Sequence, residues 1–137
     1  MKTSARNELT GKITNILDGA VMSEVKITVS ADVTVSATVT KEGIHSLGAK
    51  VNDNITAIIK ASSIIITKNL VKTTARNVLK GKVVELTKGA VNSEVKLSIG
   101  TGVISAIITN DAVEDLNIKV AEEAYAIFKA SSVILIA

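Results

Sequence analysis

The sequence repeats itself. Ala5-Arg6-Asn7 recurs as Ala75-Arg76-Asn77, Gly19-Ala20-Val21 as Gly89-Ala90-Val91, Ser23-Glu24-Val25-Lys26 as Ser93-Glu94-Val95-Lys96, and Lys60-Ala61-Ser62-Ser63 as Lys129-Ala130-Ser131-Ser132. The offset is 70 early and 69 late, so the second copy lacks one residue somewhere in the region aligned with Ile27–Ser36. A period of this size is one small domain duplicated, which overrides the single domain that a length of 137 would otherwise indicate. The reading is two domains, 1–68 and 69–137.

Units of that size bury a modest share of their surface and are marginally stable alone. Without cysteine, disulfide and thiolate–metal staples are excluded. Association remains as the way to gain buried area, between the halves and between chains. The short join, Lys68-Asn69-Leu70-Val71-Lys72, is not a Gly/Ser tether, so the units are expected to be held rigidly.

The hydrophobic pattern has mostly period two. Val25, Ile27 and Val29 alternate with polar residues, as do Val33, Val35, Ala37 and Val39, and Ile55, Ala57 and Ile59. Ile64-Ile65-Ile66 is expected to close the first unit as a more fully buried strand. One short helix per unit fits Asn110 as a cap ahead of Ala112, Val113 and Leu116, with Gly43 and Gly48 weakening the equivalent turn in the first copy. The pattern alone supports an all-β class, a small barrel or sandwich per unit; about five short strands and one helical turn suggest the OB type, and two tandem OB-like five-stranded barrels, each with a short helix, is the reading that the family resemblance given below implies.

Two retained segments carry polar chemistry. Ser4-Ala5-Arg6-Asn7 and Thr74-Ala75-Arg76-Asn77 each place a hydroxyl two residues before a guanidinium, on one side of an extended strand. The plainer alternative is a helix cap with a surface ion pair. Lys60-Ala61-Ser62-Ser63 and its twin group a cation, hydroxyls and turn amides, which can form an anion-binding concavity or simply a polar strand corner. Together the segments supply donors without carboxylate or His, which suits a tetrahedral oxyanion. Thr40 and Thr109 close Ala-x-x-Thr strands and read either as sheet threonines or as further donors. Glu24 and Glu94 read as a solvated face or as partners for Lys. His45, the sole histidine, is missing from the second copy and reads as surface.

Several functions are disfavoured. No nucleophile–base pair and no metal-ligand spacing is present, so an enzyme is not expected. A net charge of +3 with interspersed charges, and only Tyr125 and Phe128 as aromatics, argues against nucleic-acid binding. No apolar run approaches bilayer length and no secretory leader is visible, so a membrane role is not expected and the expected location is cytoplasmic.

The Ser-Ala-Arg-Asn start, the Gly-Lys-Ile/Val, Gly-Ala-Val-Asn-Ser-Glu-Val and Ile-Thr-Asn-Asp segments, and the closing Lys-Ala-Ser-Ser resemble the molybdate-binding Mop domain of the TOBE family. The tandem arrangement is similar to the di-Mop cytoplasmic proteins called molbindins. The resemblance implies a homotrimer in which six barrels bind molybdate or tungstate at interfaces, for storage and homeostasis, with no catalytic cofactor. An alternative is an oxyanion-sensing module acting on a separate transporter or regulator. Carried over residue by residue, the oxyanion donors are Ser4, Ala5, Arg6, Thr40, Lys60, Ala61 and Ser62, and Thr74, Ala75, Arg76, Thr109, Lys129, Ala130 and Ser131. Ser/Arg of one barrel is expected to meet Lys/Ser of another. Asn92 and Ser93 are implied in a second class of site on the symmetry axis, weakened in the first copy by Met22.

Overall fold

The structure, a computed structural model, describes residues 4–5 and 7–137. The first repeat contains β1 (Asn7–Asp18), β2 (Met22–Ser30), β3 (Val33–Thr40), helix α1 (Lys41–Ser46), β4 (Asn54–Ile59), a 3₁₀ turn (Ala61–Ser63) and β5 (Ile65–Thr67). The second contains β6 (Asn77–Lys88), β7 (Asn92–Ser98), β8 (Val103–Thr109), α2 (Asn110–Leu116), β9 (Glu123–Phe128), a 3₁₀ turn (Ala130–Ser132) and β10 (Ile134–Ile136). The strands form two five-stranded sheets with matching topology, as expected for OB-like barrels.

The long first strand of each repeat shapes its barrel. β1 pairs with β4 over Asn7–Lys12 and with β2 over Lys12–Asp18, and its register shifts between Ile13 and Asn15. β6 does the same, with its shift between Val83 and Glu85. A bulge adds local twist and bends the strand, so one strand serves two neighbours and the sheet curls over its apolar face. Ile13, Val25, Ile27, Val35, Ala37, Ile55 and Ile59 fill the first barrel, and they join their counterparts in one continuous core across both repeats.

Each sheet takes its fifth strand from the other repeat. The orders are β10-β4-β1-β2-β3 and β5-β9-β6-β7-β8, with Ile134 opposite Ile58 and Ile65 opposite Ile127. The isoleucine run at 64–66 therefore completes the second barrel, not its own. It also alternates instead of being uniformly buried: Ile64 and Ile66 are buried while Ile65 is 61% exposed. This exchange ties the two repeats together by main-chain pairing as well as by the covalent join.

The missing residue lies in the hairpin between the second and third strands. Thr28 pairs with Thr34, and the register then shifts before Ser30 pairs with Val33. In the second repeat Ser98 pairs directly with Val103, and the Ile99 N–H donates to the Gly102 carbonyl across a tighter turn. Gly100 there has φ +93°, which a glycine adopts without steric cost.

Both helices form. Sequence reasoning puts the cap of α2 at Asn110; the structure puts it one residue earlier, at Thr109, whose hydroxyl accepts the Ala112 N–H at 3.1 Å. Thr40 caps α1 in the same way, accepting from the Gly43 N–H at 3.0 Å. Gly43 thus does not break α1, but it occupies a helical position where alanine is favoured by about 1 kcal/mol. A Cβ at Gly43 would sit 2.7 Å from the Thr40 hydroxyl oxygen, and Ala112 accommodates one at the matching place. Gly43→Ala is expected to raise the thermal unfolding midpoint by a few degrees, on the order of 2–4 °C. A lowered midpoint would show that the cap cannot adjust in the first repeat.

Candidate functional site

The retained polar segments converge on two clefts. In the first repeat, Ser4 and Ala5, just before β1, face Lys60, Ala61 and Ser62 at the 3₁₀ turn after β4, around a cleft of about 460 Å³. Ile107 of β8 and Ile134 and Ile136 of β10 add an apolar wall from the second repeat. Arg6 lies outside the described residues. In the second repeat Thr74, Ala75 and Arg76, just before β6, meet Lys129, Ala130 and Ser131 at the turn after β9, in a cleft of about 580 Å³. Thr38, Ser63 and Ile65 of the first repeat complete its wall. Within one chain, then, the hydroxyl/Arg and Lys/Ser segments that meet come from the same repeat, and the other repeat supplies wall residues.

The local backbone explains the cradle. Lys60 and Lys129 are extended residues immediately before their turns, and the Ser63 and Ser132 N–H groups close back onto their carbonyls at 2.9 Å. The first N–H groups of a helical turn have no partner within it, which leaves them as candidate donors next to the lysine. Ala61 and Ala130 are buried, which leaves Ser62 and Ser131 at the surface. Among the described residues neither Lys60 nor Lys129 has an ion pair. Each cleft therefore carries uncompensated lysine charge beside hydroxyl and main-chain donors.

Thr40 and Thr109 stand apart from both clefts. Besides capping α1 and α2, they lie opposite Met22 and Asn92 in the β2–β3 and β7–β8 ladders. Asn92 is exposed, but the buried Ser93 hydroxyl donates inward to Asn110 Oδ1. Its twin Ser23 donates instead to Asp18, and this bond, aided by the nearby His45 and Lys41, holds the Asp18 carboxyl below its ordinary range. His45 is at the surface, 3.6 Å from that carboxylate.

Two features of the cleft region go beyond the sequence reading. Arg76 Nη1 lies 3.4 Å from Glu24 Oε2; a surface ion pair was one of the two readings of this arginine, but its partner in the other repeat was not named, and Glu24, read as a solvated face or a lysine partner, pairs with arginine. Glu94 accepts from the Ser105 hydroxyl. The asparagine after each arginine is a buried clamp. Asn77 Oδ1 accepts the Ser36 N–H and Asn77 Nδ2 donates to the Ser36 carbonyl, both at 2.8 Å. Asn7 takes the Ser105 N–H at 2.7 Å and donates to the Ser105 and Ile59 carbonyls. Its retention in both copies was the available signal.

No helix among the described residues is long and apolar enough to cross a membrane, and no group of three or more His, Asp or Glu among them is placed to hold a metal ion.

The TOBE domain profile matches the chain twice, over residues 3–66 and 73–135. The chain belongs to the TOBE family. It is 37% identical over 98% of its length to the molybdenum transport protein ModE of Azotobacter vinelandii, and 33% identical over 98% to the molybdenum-pterin-binding protein MopA of Rhodobacter capsulatus. The chain spans about half the length of these relatives, 51% and 52%. A solved structure of the cytoplasmic molybdate-binding protein ModG, with molybdate bound, superposes with a TM-score of 0.94 at 36% identity and 98% coverage of both chains. The likeness in fold to ModG thus extends over both TOBE repeats of this chain.

Proposed function

We propose that this tandem TOBE protein binds, stores and buffers molybdate, or the isosteric tungstate, in the cytoplasm, and that it does so without catalysis. The observation that carries the reading is the convergence of hydroxyl, Lys and turn-amide donors in a cleft of each repeat, in a chain so similar to molybdate-bound ModG. The donors are Ser4, Ala5, Arg6, Lys60, Ala61 and Ser62 for one site, and Thr74, Ala75, Arg76, Lys129, Ala130 and Ser131 for the other. A dianion that only accepts hydrogen bonds would be neutralised by Arg and Lys and oriented by hydroxyl and main-chain N–H groups. Storage is preferred to sensing because the similar ModG is described as a cytoplasmic molybdate-binding protein.

The reading takes 1–68 and 69–137 as the two Mop domains and three chains as the assembly. Val21, Leu70, Val91 and Ile134 are large apolar residues left exposed on the single chain, which supports further association. In a trimer, Thr40 and Thr109, or Asn92 with Ser93, would reach ligands only through a neighbouring chain, with Met22 making its axial site the weaker.

Calorimetric titration with molybdate, repeated in excess sulfate, tests this, with light scattering to read the mass of the assembly. Saturable binding that survives sulfate is expected. Arg76→Ala or Lys129→Ala removes a charge-assisted bond of roughly 1.5–3 kcal/mol, so each should weaken its site by about 10- to 100-fold. Absence of binding heat in the unaltered protein would sink the reading.

A further inference from the structure

Arg76 reaches its cleft with an acidic residue of the other repeat beside it. Glu24 sits on β2, paired across the sheet with Thr38 of β3, and Thr38 lines the second-repeat cleft. Directly opposed residues project from the same face of a sheet, so Glu24 stands beside that wall. Its side chain is 22% exposed, against 62% for Arg76. The carboxylate is thus the more fixed member of the pair and the guanidinium the more mobile. A guanidinium carries five N–H donors in a rigid fork, and the contact with Glu24 uses the Nη1 end. The remaining donors stay available to a ligand.

We infer that Glu24 is a positioning residue for Arg76: from the first repeat's barrel it orients the guanidinium that the second-repeat cleft offers to an oxyanion. The inference rests on the oxyanion reading proposed above. A free arginine must give up its rotamer freedom when it binds, whereas one already held at one end loses less for each bond formed. The same carboxylate would repel a dianion if it faced the ligand directly. Its contact is with Nη1 alone, which leaves Nε and Nη2 as the edge the guanidinium offers to a ligand. The second-repeat site then depends on docking of the two repeats, since its arginine is aimed by a residue from the first.

The test is a molybdate titration of the full chain by calorimetry, on the unaltered protein, Glu24→Ala, Glu24→Gln, Arg76→Ala and the Glu24→Ala/Arg76→Ala double variant. Partners that orient a ligating group typically contribute about tenfold or more to affinity, as metal sites illustrate. Glu24→Ala is expected to weaken one class of sites by about tenfold. Glu24→Gln, whose amide oxygen keeps a dipole toward the fork without the charge, should recover part of that loss. With Arg76 removed, Glu24→Ala should cost nothing further, an outcome that general structural damage would not give. Unchanged or tighter binding in Glu24→Ala overturns the inference, as does an equal loss with and without Arg76. If the unaltered protein takes up no molybdate, the oxyanion reading itself fails, which is a different result from any of these.

Discussion

Asn7→Ala is expected to destabilise the protein by about 3–5 kcal/mol, a large part of the 5–15 kcal/mol that a domain possesses. β3 and β8 are each an end strand of their sheet, opposite β10 and β5. At Ser36 and Ser105 both main-chain groups of an edge residue are met by an asparagine amide from the other repeat, which stands in for a missing strand. Truncating Asn7 strands the Ser105 N–H and carbonyl, and the Ile59 carbonyl loses its contact with the amide. A buried polar group left without a partner costs about 1–3 kcal/mol. Asn77→Ala strands only the two groups of Ser36, which is less deeply buried, and should cost less, about 2–4 kcal/mol. Asn7→Asp should not rescue, because a carboxylate cannot donate to the Ser105 carbonyl. Thermal unfolding reads the effect as a fall of about 10 °C for Asn7→Ala. A fall of under about 2 °C would show that water replaces the amide at no cost.

The same clamp shows where sequence reasoning stops. The duplication, the period-two strands, the short helices and the two polar segments were legible because each is a local pattern repeated in the chain; that Thr74 and Arg76 line one cleft with Lys129 and Ser131 of their own repeat, where segments of different barrels were expected to meet, was not. Asn77 was in view as part of Ala-Arg-Asn, yet its role depends on which strand of the other repeat is an end strand. No spacing encodes that. The strand exchange was hidden for a related reason: a three-residue strand such as Ile65–Thr67 has the same alternation whichever sheet it joins. Thr40 and Thr109 were noticed for being retained, and their shared local role is to cap a helix. The missing residue could be bracketed but not located, because a bulge in β2 absorbs it without disturbing the alternation on either side. Glu24 was read as a solvated face or a lysine partner; its partner is Arg76 of the other repeat.

Gly11→Ala should be about as damaging as loss of a clamp, although it adds only a methyl group. Gly11 lies in β1 just before the strand passes from β4 to β2. A Cβ there would overlap the main-chain oxygen of Thr28 and come within 2.9 Å of Ile27 Cγ2. That oxygen belongs to the β2 backbone beside the Lys12–Thr28 pair, so it cannot yield without opening the ladder that curls the barrel. Forcing extra volume into a closed core costs about 1–3 kcal/mol, and an immovable backbone neighbour puts Gly11→Ala at the upper end or beyond. Gly81 is the matching residue of β6, and its Cβ would lie 2.8 Å from the Ser98 oxygen and 3.1 Å from Leu97 Cβ. Gly81→Ala should therefore rank second, and the double variant should fail to fold. Gly102→Ala is the control: nothing lies within 4 Å of its Cβ, so its effect should stay within about 0.5 kcal/mol. Urea denaturation gives the ranking directly. If all three variants unfold at the same midpoint as the unaltered chain, the two long strands are not in close approach at these glycines, and the curl of the barrel must be set by the bulges between Ile13 and Asn15 and between Val83 and Glu85 alone.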